Sequence, residues 1–119
     1  MARLTTHVLD TSRGAPAAGV AVELHLVEGG GDSRRLIASA VTDADGRTPA
    51  PLISGDRVDP GVYELTFKAA AYFAQAGTPL ANPPFLGDVV VRFGIADARG
   101  HYHVPLLLSP YGYSTYRGS

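Results

Sequence analysis

The chain contains no cysteine and no tryptophan, one methionine, and one lysine, Lys68. Without cysteine there is no disulfide, no thiolate nucleophile and no cysteine-based zinc site. That fits a reducing compartment, and a cytoplasmic location is the expectation. No apolar run approaches the roughly 20 residues a membrane-spanning helix needs. The first residues also lack the basic stretch and apolar run of a secretory signal. A membrane partner is not expected. Charge of one sign is missing too: ten basic and eleven acidic residues leave a net charge of -1, with the signs scattered. Nucleic-acid binding by phosphate neutralisation needs a basic surface, so no nucleic-acid partner is expected either. Arginine supplies nine of the ten basic residues. Its planar guanidinium suits anions and ureido groups, although a genome-wide bias would give the same excess and is the plainer explanation.

The 119 residues suffice for one hydrophobic core, so residues 1–119 read as a single domain. Glycine, proline and aspartate punctuate the chain about every ten residues, with short alternating segments between them. Strands are predicted at Arg3–Asp10, Gly19–Glu28, Arg35–Thr42, briefly at Arg47–Pro49, then at Gly61–Lys68, Val89–Ala96, Tyr102–Leu108 and from Tyr113 onward. In the second, Val20, Val22, Leu24 and Leu26 share one face, with Glu23 and His25 on the other. Turns fall at Thr11–Ala18, Gly29–Asp32, Asp43–Gly46, Asp97–Gly100 and Ser109–Gly112. Ala69–Gln75, bounded by Gly77 and Pro79, is the one predicted helix. Seven or eight short strands at this spacing indicate an all-β, antiparallel sandwich.

If Leu4 and Val8 face the core, His7 points outward with Thr5. By the same rule Val104, Leu106 and Leu108 leave His101 and His103 on the outer face. A His-x-His strand could also start a metal site, but a zinc site needs a third ligand. His25 lies on another strand and Asp97 in a turn, so no metal is expected. Asp43 and Asp45 resemble the start of a calcium loop, yet Ser54 stands where the glutamate belongs. Arg47, taken alone, is an exposed hairpin charge. His25 is read as structural, and Ser109 lacks the setting of a hydrolase nucleophile. Tyr116-Arg117-Gly118-Ser119 could be a frayed end, but strand-forming Tyr113, Thr115 and Tyr116 argue against that.

The segment His101–Ser119, HYHVPLLLSPYGYSTYRGS, resembles the C-terminal signature of 5-hydroxyisourate hydrolases, the transthyretin-related proteins of purine breakdown. Leu4-Thr5-Thr6-His7-Val8-Leu9-Asp10 resembles the opening motif of the same family, so the match falls at both ends of the chain. A departure is Gly87-Asp88, where many relatives have Pro-Glu. The resemblance implies a transthyretin-like antiparallel sandwich of two four-stranded sheets with one short helix. It implies a cofactor-free hydrolase opening the cyclic amide of 5-hydroxyisourate to 2-oxo-4-hydroxy-4-carboxy-5-ureidoimidazoline. On that basis His7, Arg47, His103 and Ser119 are expected to be catalytic, and His7, Arg47, Tyr116, Arg117 and Gly118 to bind substrate. A homotetramer with its sites at the dimer–dimer interface is implied as well. The alternative is a non-enzymatic, transthyretin-like carrier of a small ligand, which would lack the histidine pair and the terminal tetrapeptide.

Overall fold

The computed structural model describes residues 1–118, and its strands follow the predicted alternation closely. Along β1 (Ala2–Asp10) every second side chain from Ala2 to Asp10 is buried, while Thr5 and His7 stay half-buried on the outer face. The next strands are β2 (Ala15–Pro16), β3 (Ala21–Glu28), β4 (Ser33–Val41), β5 (Ile53–Gly55) and β6 (Gly61–Phe67). Helix α1 (Ala69–Gln75) follows, then β7 (Val89–Ile95), β8 (His101–Ser109) and β9 (Gly112–Thr115). The helix has the predicted bounds. It buries Ala69, Tyr72 and Phe73, and it ends where Gly77 turns left-handed at φ 81° and Thr78 N–H reaches back to the Phe73 carbonyl.

Two sheets form the sandwich. One runs β4-β3-β6-β7; the other runs β2-β1-β8-β9, with β5 also on β1. Apolar side chains of both inner faces make one core, with Leu4, Val8, Leu24, Leu65, Phe67, Leu106 and Leu108 fully enclosed. Polar groups at its rim are satisfied: Thr6 Oγ1 donates to the Val104 carbonyl at 2.7 Å, and Tyr72 O–H donates to Asp10 at 2.7 Å.

Three details differ from the expectation. The sheet built on β1 and β8 has five strands rather than four, because Ala15–Pro16 and Ile53–Gly55 both add to the free edge of β1. Only Arg47 of the expected strand Arg47–Pro49 pairs with β1, through a single antiparallel bridge to His7. Finally, β1 and β8 are parallel, whereas every other strand pairing is antiparallel. Tight hairpins force antiparallel neighbours, but about ninety residues separate β1 from β8, and a connection of that length allows either direction.

Candidate active site

The parallel pairing of β1 and β8 sets the site. It places Arg3 beside His101, Thr5 beside His103 and His7 beside Pro105. Because β-strand side chains alternate, all of these odd-numbered positions lie on the outer face of the five-stranded sheet. On the far edge of β1, the turn Asp43-Ala44-Asp45-Gly46 delivers Arg47 next to His7. That turn is built around two residues. Asp43 Oδ1 accepts the amides of Asp45 at 2.9 Å and Arg47 at 3.2 Å, so its carboxylate holds the loop together. Gly46 is buried at φ 77°, and its carbonyl accepts the Val8 amide at 2.8 Å; a Cβ there would lie 2.3 Å from the Val8 carbonyl oxygen.

The two imidazoles are held differently. His7 Nε2 lies 2.8 Å from the Asp45 carbonyl oxygen. A carbonyl only accepts, so Nε2 carries a proton and Nδ1 is the free nitrogen of neutral His7. His103 Nδ1 lies 2.8 Å from Thr5 Oγ1, which leaves its Nε2 free. His103 is half-buried, and burial pushes its pKa below the ordinary histidine value; electrostatic repulsion from Arg47 and His7 pushes the same way, against a smaller opposing effect of the Thr5 backbone. That shift favours the neutral imidazole of His103, the form able to accept a proton. Arg3, Thr5, Arg47, His101 and His103 line an open recess of about 310 Å³.

Past β9 the chain crosses the site. Gly118 bridges His103, donating its amide to the His103 carbonyl at 2.7 Å. A Cβ on Gly118 would sit 2.6 Å from His103 Cδ2, so only glycine lets the backbone lie against the ring. The same register sets Arg117 opposite core-facing Val104. Its guanidinium stacks 4.2 Å above the Tyr102 ring and donates to the His101 carbonyl at 3.2 Å. It does not line the recess. Tyr116 is 59% exposed. Ser119 lies outside the described residues. The structure thus gathers His7, Arg47, His103 and Gly118, and anchors Arg117 behind them. Reading the sequence missed Thr5 as a partner of His103; the period-2 pattern put it on the right face, but the pairing that joins them spans 98 positions.

Among the described residues, no three His, Asp or Glu side chains cluster in a way that could hold a metal ion. His25, on the other sheet, stands beside Glu64 and away from the recess. Glu64 is buried although it is charged: Arg34 contacts it at 2.7 Å and Arg92 at 2.9 Å, and the Arg34 hydrogen bond, ahead of Arg92, draws its pKa down despite burial.

A β-sandwich that gathers two imidazoles and a guanidinium on the open face of one sheet, crossed by its own tail, has the architecture of the transthyretin class. Residues 4–118 match the model of the HIUase/Transthyretin family, and the chain belongs to that family. It is 58% identical over 117 residues to 5-hydroxyisourate hydrolase 2 of Rhizobium meliloti, covering 98% of this chain and 96% of that protein. The structure of Klebsiella pneumoniae 5-hydroxyisourate hydrolase superposes with a TM-score of 0.81 at 39% identity, with both chains fully covered. Sea bream transthyretin, solved in complex with thyroxine, superposes with a TM-score of 0.85 at 32% identity, covering 98% of this chain and 94% of that one.

Proposed function

We propose that this chain hydrolyses the cyclic amide of 5-hydroxyisourate, yielding 2-oxo-4-hydroxy-4-carboxy-5-ureidoimidazoline in urate breakdown. The supporting observation is the convergence of His7, Arg47 and His103, drawn from three distant segments onto one sheet face. Full-length identity to curated hydrolases favours this reading over a carrier.

The reaction asks for three things, each with a matching group. A base must take a proton from water as its oxygen bonds to the carbonyl carbon, and neutral His103 has a free Nε2 for this. The negative charge that develops on the carbonyl oxygen needs a fixed cation, and Arg47 supplies one. As the C–N bond breaks, the leaving nitrogen needs a proton, which His7 or the newly formed His103 imidazolium can give. Tyr116 and Gly118 bind and enclose the substrate from the tail side, Arg117 contributes by anchoring that tail over Tyr102, and Ser119 takes part in catalysis. No cofactor enters this scheme.

A single domain spanning 1–119 carries the activity in the cytoplasm. The recess is open in one chain, and a homotetramer whose dimer–dimer interface covers it would exclude water and strengthen each electrostatic contact. Ultraviolet decay of freshly generated 5-hydroxyisourate, followed with and without protein, tests the proposal. Acceleration over buffer is expected; equal rates would overturn it.

A further inference from the structure

Among the described residues, the half-buried imidazole of His103 meets one side chain at hydrogen-bond distance, the hydroxyl of Thr5. The two residues are directly paired across the parallel β1–β8 ladder, so their side chains share a face and the contact is set by backbone register. The groups facing His103 from other elements are Arg47 from the preceding turn and Arg3 and His7 from β1; His101 adjoins it on β8, and Gly118 covers the ring without charge. Among the described residues, no Asp or Glu side chain lines the recess. A carboxylate at Nδ1 would hold the imidazolium and keep the ring charged, whereas a hydroxyl can accept the Nδ1 proton and leave the ring neutral.

We propose that Thr5 is a positioning residue for the hydrolytic base: its hydroxyl accepts the Nδ1–H of His103, selecting that tautomer and presenting the Nε2 lone pair to the recess. This rests on the hydrolase reading above. In the reaction Nε2 takes a proton from water while the water oxygen bonds to the amide carbonyl carbon. The resulting imidazolium keeps its Nδ1–H on Thr5, and Nε2 can pass its new proton to the departing nitrogen as the C–N bond breaks. The hydroxyl also divides the histidines. His7 is bound through Nε2 and His103 through Nδ1, so the two rings present opposite nitrogens to the substrate.

The experiment compares wild type with Thr5→Val, which keeps shape and loses the hydroxyl, and Thr5→Ser, which keeps the hydroxyl. Thr5→Val should lower kcat about 10-fold or more with little change in KM, part of the roughly 10²–10⁴ a positioned base supplies. Losing an acceptor that favours imidazolium should also move the acid limb of the pH profile to lower pH. Thr5→Ser should restore both. In ¹⁵N spectra without substrate, wild-type His103 should be the Nδ1–H tautomer, and Thr5→Val should lose that preference. An Nε2–H tautomer in the wild type, or Thr5→Val with wild-type kcat and pH profile, would overturn the role, and the wild-type spectrum decides even if a variant fails to fold. Because that spectrum needs no substrate, a chain inactive on 5-hydroxyisourate would sink the functional reading while the role of Thr5 was still judged separately.

Discussion

At the residue scale, the proposed mechanism requires His103 to stay neutral in a setting that is half-buried and cationic. Its lowered pKa means the base is available at neutral pH and is lost only as pH falls below the ordinary histidine value of about 6.5. Removing the Arg47 charge raises that pKa, so residual activity of Arg47→Gln should show its acid limb at higher pH than the wild type. His7→Ala and His103→Ala should each cut turnover about 10²-fold or more while leaving the fold intact, since neither ring belongs to the core. Near-full activity in either variant would remove that histidine from the proton transfers. Gly118→Ala is a sharper test of the tail contact. Its methyl would collide with the His103 ring, so the ring or the tail must move, and activity should fall while circular dichroism stays unchanged.

Secondary-structure elements position these residues. The segment after β9 is held by the Gly118 bridge, by the Arg117–Tyr102 stack and by a bond to the His101 carbonyl. Deleting Tyr116–Ser119 should leave a folded, assembled protein on gel filtration with most hydrolytic activity gone. Arg117→Lys should weaken activity as well, because an ammonium cannot reproduce a stacked planar fork. A truncated protein with normal turnover would reduce the tail to a structural end. On the opposite sheet, Glu64 joins β6 to β4 and β7 through Arg34 and Arg92. Its pKa is depressed in the fold, so its stabilisation is present above the unfolded carboxylate value of about 4.3 and lost as pH falls through the lower folded value. With both guanidiniums partly solvated, Glu64→Gln should cost about 1 kcal/mol at pH 7 in chemical denaturation. The difference should shrink towards pH 3; a constant difference would make the effect one of packing.

For the whole molecule, the two faces of the five-stranded sheet have separate tasks: the inner face builds the core, and the outer face carries charge, imidazoles and an open recess. Water activation is assigned to an imidazole, so exhaustive chelation should leave turnover unchanged and elemental analysis should find no stoichiometric zinc. Loss on chelation with recovery on adding zinc would make the His101–His103 pair a metal site. Assembly and activity should also fall together on dilution if the interface completes the site, which light scattering and the decay assay on the same samples would show.

Alternation in Leu4–Val8 and Val104–Leu108 was enough to set His7, Thr5, His101 and His103 on an outer face, because side-chain direction in a strand repeats every two residues. Ala69–Gln75 was legible as a helix for a similarly local reason, its alanine-rich stretch ending at Gly77. Motifs at the two ends of the chain identified the family and pointed to candidate site residues, but the chain alone could not show how those residues meet. The parallel β1–β8 register, the bridge that brings Arg47 to His7, the placement of Arg117 over Tyr102 and the Thr5–His103 bond all join positions that local pattern leaves unconnected. The extra strand at Ile53–Gly55 was hidden likewise, since three residues carry no readable period and pair only because β1 offers a free edge. Local sequence determined which face each side chain takes, because that depends on backbone geometry a few residues long. Only the packed sheets decided which faces and nitrogens oppose one another, because that depends on register between strands about a hundred residues apart.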